Sequence, residues 1–224
     1  MSDGRRALRL RRWWARRRGG VAAPLRACWD APLPGLRTPL ARVDFLVCDA
    51  EMSGLDARAA EILSLAWVGV SAGEIRLDSA ARHLLRPLAG VGDSATIHRL
   101  RDCDLQAAAP LPQVLERFLE AAAGRVLVFH HAALDLAFLD RAARGHLGAP
   151  LLLPAVDTLE LERRQRARRN QPLEAGALRL SSCRQRYGLP AYAAHDALGD
   201  ALATAELLLA QIAARAGGRL GDVS

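Results

Sequence analysis

An apolar run that ends in two acids one residue apart constrains this chain more than any other feature: Val43-Asp44-Phe45-Leu46-Val47-Cys48-Asp49-Ala50-Glu51, followed by Met52-Ser53-Gly54-Leu55-Asp56. β-Branched and aromatic residues closed by Ser-Gly read as a buried strand that delivers acids to its own end. Side chains alternate along a strand, so Asp49 and Glu51 project from the same face. Two carboxylates held that close repel unless a positive charge lies between them, and a hard divalent cation takes oxygen ligands. A solvated strand end is the competing interpretation, and the metal reading requires further acids to converge on this pair.

The rest of the chain supplies the frame. Ile62 to Val70 is a second apolar strand and Glu74 to Leu85 a third, an antiparallel start. Leu111 to Ala123 has helical spacing through Val114, Leu115, Phe118 and Leu119. A short strand, Val126 to Phe129, precedes a helix from about Ala132 to Gly145, and Leu151-Leu152-Leu153 reads as another strand. Helices follow over Thr158 to Arg168, Leu178 to Tyr187 and Asp196 to Ala216. Strands first, then strands alternating with helices, predict an α/β fold with a mixed central sheet.

Charge divides the chain. Residues 1–42 carry eleven arginines against two aspartates, a net +9, whereas the whole chain is only +7. The remainder is slightly acidic, so basicity by itself does not make it a nucleic-acid binder. The sequence thus divides into an Arg/Trp/Pro-rich extension (1–42), a main domain (43–216) and a short tail (217–224). Trp13 and Trp14, set among arginines, suit a helix on phosphate backbones or on an anionic membrane, and equally a solvated tail whose tryptophans pack on the domain. No apolar stretch follows the arginines as in an export signal, and none is long enough to span a bilayer. With 51% apolar residues a sizeable core is available. Cys28, Cys48, Cys103 and Cys183 lack the spacing of a disulfide framework or a zinc site and fit a reducing, cytoplasmic setting.

Other acids can join the first pair. Asp135 falls early in the helix after the Val126–Phe129 strand, over the carboxyl ends of the sheet where open α/β sheets build sites. Taken alone, Asp135, Asp140 and Asp157 also suit helix-dipole partners. Five residues separate His195 from Asp200, which places them about 140° apart on a helix. That spacing favours His195 on the loop before the helix and Asp200 inside it, with a histidine suited to take a proton from water. Arg163, Arg164, Arg166, Arg168 and Arg169 suit either an incoming phosphate or a solvated helix end, and Tyr187 and Tyr192 either stack on bases or join the core.

Five segments together resemble a known family. They are Asp49-Ala50-Glu51-Met52-Ser53-Gly54-Leu55, Ile97-His98, the run His130 to Leu139 that contains Asp135, Asp157-Thr158, and His195-Asp196-Ala197-Leu198-Gly199-Asp200-Ala201. In that order they resemble the exonuclease motifs of the DEDD superfamily, histidine branch, and are most similar to the epsilon subunits of bacterial DNA polymerase III and their stand-alone relatives. The likeness covers about residues 43–214 and implies a ribonuclease-H-like fold. It implies that Asp49, Glu51, Asp135 and Asp200 bind two magnesium or manganese ions. It assigns catalysis to His195, as the base acting on water, and to Glu51, and substrate contacts to Met52, Ser53, Gly54, Leu55 and His98. Two cations ~3.5–4 Å apart suit in-line displacement at phosphorus.

The implied activity is removal of nucleotides from the 3′ end of DNA, with single-stranded or 3′-ended nucleic acid as partner. Met52 stands where the family commonly has Thr, His131 where it has Asn, and Leu134 where it has an aromatic residue. None of these removes a metal ligand. Glu-Met-Ser-Gly-Leu is also similar to oligoribonucleases, so an exoribonuclease is the alternative, and a catalytically silent binding module is a third reading. The chain ends soon after the last helix, which favours a free-standing enzyme. A homodimer and a polymerase partner are left open.

Overall fold

The computed structural model describes residues 2–86, 108–192, 196–215 and 218–223. Its central strand β1, Phe45–Met52, is buried along nearly its whole length. β2, Ile62–Ser71, pairs antiparallel with β1, and β3, Glu74–Leu84, pairs antiparallel with β2. On the other side β4, Val126–Phe129, runs parallel to β1, and β5, Ala155–Asp157, runs parallel to β4. The sheet order is therefore β3-β2-β1-β4-β5. β2 is apolar almost throughout because helices cover both faces of the sheet.

The described helices are α1 (Ser2–Arg18), α2 (Ala23–Asp30), α3 (Leu111–Ala122), α4 (Ala132–Leu147), α5 (Thr158–Arg168), α6 (Leu180–Arg186) and α7 (Ala197–Ala213). Strand alternation sorts β1 between two cores. Leu46, Cys48 and Ala50 join Trp67 and Phe129 beneath α2, α3 and α4. Phe45 and Val47 join Val68, Val128 and Val156 beneath α5 and α7. α7 lies close over the sheet because Ala201 and Ala205 present only methyl groups there, with Leu208 continuing the stripe.

The mixed sheet, the antiparallel start and the helices appear where periodicity places them. One strand does not: Leu151–Leu153 is irregular, and the strand forms at Ala155–Asp157. Leu152 has a left-handed backbone (φ 50) and the Leu151 N–H is taken by Asp140, so this apolar run is buried as a loop. The last helix ends at Ala213, short of Ala216, and the Leu178–Tyr187 helix is trimmed to Leu180–Arg186.

The first forty residues pack into the same cores. Leu25, Cys28 and Trp29 are buried, and the Trp29 indole N–H donates to the Leu151 carbonyl at 2.6 Å. The Ala22 N–H donates to the Leu147 carbonyl at the end of α4. There Gly148 (φ 75) lies so close to the Gly20 carbonyl that a Cβ would collide with it. Leu220 and Val223 are buried near Leu40 in the second core.

Candidate metal centre

The face of β1 that carries Phe45 and Val47 into the α7 side also carries Asp49 and Glu51. Asp200 lies in the first turn of α7, which Asp196 caps by accepting the Gly199 N–H at 3.0 Å. Arg82 of β3 holds Asp196 from the sheet at 3.0 Å. As a result one carboxylate oxygen from each of Asp49, Glu51 and Asp200 falls within 4.8 Å of the others. Glu51 is 8% exposed and Asp135 5%, so these acids have little water around them.

Asp135, in the first turn of α4, approaches from the opposite side of β1. Its carboxylate meets its own backbone N–H and that of Ala50, the residue between the two β1 acids. Burial nonetheless pushes its pKa up to about 8, with Asp157 and Glu51 adding to the rise. Asp49 is pushed well above the carboxylate range, first by burial and then by Asp135, Asp200 and Glu51. Among the described residues, the charges that act most on Asp49, those of Asp135, Asp200, Glu51 and Asp196, are all negative. Buried oxygen donors that repel one another and resist ionising are the donor set a hard divalent cation stabilises.

Asp157 fixes how Asp135 is presented. At the end of β5 it caps α5 by accepting the Leu159 N–H, and it also accepts the N–H groups of His131 and Ala132, each at 3.0 Å. His131 has φ 84, so the turn between β4 and α4 is strained and Asp157 holds it. Asp157→Ala is expected to lower stability by about 2 kcal/mol. Loosening of Asp135 should also weaken magnesium affinity roughly ten-fold, read by calorimetric titration. Unchanged affinity would separate this turn from the metal centre.

Sequence readings of other residues resolve individually. His130 is held between Thr158 Oγ1 (2.8 Å) and the Leu178 carbonyl (2.9 Å), and burial lowers its pKa. Both its ring nitrogens are engaged, so it serves as a strut. Met52 is buried in the first core, Ser53 Oγ accepts the Glu61 N–H, and Leu55 is 81% exposed. His195 and His98 lie outside the described residues. Arg163 and Arg164 are both paired with Glu160 on their own helix, which supports the solvated-face reading. Tyr187 bonds Glu162 and Gln165.

A cleft of about 940 Å³ opens beside Asp49 and Asp200, lined by Arg179, Ser181, Gln185 and Tyr192 among others. Tyr192, 41% exposed, lies with its ring 4.7 Å from the Arg184 guanidinium. Arg179, Ser181 and Gln185 fall within the helix the sequence places over Leu178 to Tyr187, but nothing in its pattern marks which of its polar residues face a cleft.

A mixed five-stranded sheet with acids gathered at the end of its central strand defines an α/β protein of ribonuclease-H-like fold with a candidate cation site. The chain belongs to the Exonuclease family, whose model matches residues 46–208. It is 32% identical to a DNA polymerase III subunit epsilon-like protein of Rhodobacter capsulatus over 174 residues, 77% of this chain and 24% of that one. It is 35% identical to a PolC-type DNA polymerase III of Bacillus subtilis over 171 residues, 74% of this chain and 11% of that one. The chain therefore spans a quarter or less of these relatives.

Solved structures share the fold. E. coli exonuclease I in complex with an oligonucleotide superposes with a TM-score of 0.65 at 16% identity, covering 81% of this chain and 42% of that one. Exonuclease X in complex with 5′-overhanging duplex DNA superposes with a TM-score of 0.57 at 22% identity, covering 76% and 92%.

Proposed function

We propose that this exonuclease removes nucleotides from the 3′ end of DNA, using divalent cations held by Asp49, Glu51, Asp135 and Asp200. The observation that carries the reading is the convergence of Asp49, Glu51 and Asp200 within 4.8 Å, with Asp49 and Asp200 also lining a cleft of about 940 Å³. Magnesium or manganese, two ions in the fullest form of the proposal, would stabilise charge on the attacking and leaving oxygens. The chain's own residues do the rest. α7 and β1 fix three ligands on rigid elements, and Asp157 orients the fourth. His195, on the segment before α7, takes the proton from water. Ser53, Gly54 and Leu55, with Met52 and His98, bound the terminal nucleotide, Leu55 offering its exposed side chain to a base.

The relatives named above are a DNA polymerase III subunit epsilon-like protein and a PolC-type DNA polymerase III, whereas here the nuclease is proposed to act free-standing. A reducing cytoplasm is its proposed setting, in keeping with Cys28, Cys48 and Cys183, which are free and buried among the described residues. No described helix is long and apolar enough to cross a membrane.

The test uses single-stranded DNA labelled at the 5′ end, with matched RNA and dinucleotide substrates, in magnesium and in manganese. A ladder of 5′-labelled products shortening one nucleotide at a time is the expected result. Immediate release of a labelled mononucleotide from the 5′ end would overturn the polarity. Preference for the dinucleotide or for RNA would favour the oligoribonuclease alternative, to which Glu51-Met52-Ser53-Gly54-Leu55 is similar.

A further inference from the structure

α1 carries eight arginines, and its packing separates them into two groups. Arg5 and Arg12 tie the helix to the domain, Arg5 through the Pro34 carbonyl (2.6 Å) and Arg12 through the carbonyls of Leu152 (2.9 Å) and Trp29 (3.1 Å). Arg16 is paired with Asp30 at 2.6 Å. Arg6 and Arg9 have no hydrogen bond or ion pair among the described residues, and Arg17 has only its stacking 4.5 Å from the Trp13 ring. Positions 6, 9, 13 and 17 form one ridge of the helix.

That ridge borders a groove of about 650 Å³ between α1 and the 29–33 segment, lined by Arg5, Arg6, Arg9, Arg12, Trp13 and Arg16. Asp30, on the opposite wall, pairs with Arg16 and also acts on Arg12, so among the described residues lining the groove five guanidiniums meet one carboxylate. Arg12 Nη2 is buried without a hydrogen-bond partner, and Arg5 is made more acidic by burial and by Arg9. A cleft lined by one sign of charge focuses its field and raises the local concentration of a polyanion.

The flanks of the ridge choose the polyanion. Leu10, Trp13 and Trp14 are exposed, but Arg6, Arg9 and Arg17 on one side and Arg11 and Arg18 on the other leave no broad apolar face to sink into lipid. Guanidiniums beside an accessible indole suit a sugar-phosphate strand, with phosphates on the arginines and a base on Trp13. The groove is also far from the carboxylates. Asp135 begins α4, and the chain preceding α2 is bonded to Leu147 at its other end, twelve residues or ~18 Å away. A strand engaging both therefore passes several nucleotides between them.

We propose that α1 and the 29–33 segment form a second nucleic-acid-binding site, which grips the substrate strand several nucleotides from the end being hydrolysed. The choice of nucleic acid over other polyanions rests on the nuclease reading. The site raises affinity for long substrates and does nothing for a dinucleotide, which cannot reach it.

The experiment uses the full chain in EDTA with a labelled single-stranded oligonucleotide of about 30 nucleotides, titrated by anisotropy at several salt concentrations. Arg6→Gln/Arg9→Gln/Arg17→Gln should weaken binding at least ten-fold and reduce the salt slope by about 2. Trp13→Ala, which keeps every guanidinium, should weaken binding about five-fold with the slope unchanged. With magnesium, the triple variant should lose kcat/KM on the long oligonucleotide and keep it on a dinucleotide. Wild-type affinity and slope in both variants would overturn the proposal. So would loss, in the triple variant, of binding to phosphatidylserine vesicles with oligonucleotide binding intact, which marks a membrane surface. If no nucleic acid is hydrolysed yet these binding differences appear, the nuclease reading fails and this one stands.

Discussion

Asp200→Asn is expected to abolish metal-dependent hydrolysis while leaving the protein folded. The amide keeps the size of the carboxylate and loses its charge at a point within 4.8 Å of Asp49 and Glu51. Loss of about 4 kcal/mol of transition-state stabilisation corresponds to a thousand-fold fall in kcat. The α7 cap does not depend on this side chain, since it is the Asp200 backbone N–H that donates to the Asp196 carbonyl. In EDTA the variant should melt no lower than the wild type, because one member of a repelling group has been neutralised. Magnesium should raise the melting temperature of the wild type and leave that of the variant nearly unmoved. Activity within ten-fold of wild type would remove Asp200 from the reaction.

Most of the centre was legible because it obeys period and order. Asp49 and Glu51 share a face through the two-residue repeat of a strand, and Asp200 follows from a helix that starts just after a loop. The pairing of Glu160 with Arg163 and Arg164 follows from spacings of three and four. Where the reading failed, hydrophobicity reported burial without geometry. Leu151–Leu153 is as apolar as a strand, yet it is buried as a loop, roofed by Trp29, whose indole bonds the Leu151 carbonyl.

Asp157 shows a different limit. As a helix cap it was foreseeable, but its grip on the His131 and Ala132 N–H groups joins residues more than twenty apart, which no local pattern encodes. The arginines of α1 reveal charge in the sequence and hide division of labour. Only packing shows that Arg5, Arg12 and Arg16 anchor the helix while Arg6 and Arg9 have no hydrogen bond or ion pair among the described residues.

In EDTA the protein is expected to lose stability as pH rises through neutrality, the reverse of ordinary acid denaturation. The sign follows from Asp135, whose folded pKa of about 8 stands far above the unfolded 3.8. Between those values the folded state holds a proton that the unfolded state has released, so unfolding becomes easier with each step upward in pH. Asp49, also raised, acts in the same direction. Buried His130 opposes them, because its lowered pKa makes the folded state bind fewer protons below about 6.5. Glu160, lowered to about 2 by its arginines, contributes only at acid pH and is largely screened by solvent. The window from about pH 6.5 to 8 therefore isolates the acid cluster, and Asp135 alone should cost roughly 1–2 kcal/mol across it. Magnesium displaces these protons, so its stabilising effect should grow across the same window and flatten or invert the slope. Urea denaturation at half-unit pH steps, with EDTA and with magnesium, measures both curves. Parallel curves would mean that the carboxylates neither retain protons in the bare protein nor surrender them to a metal.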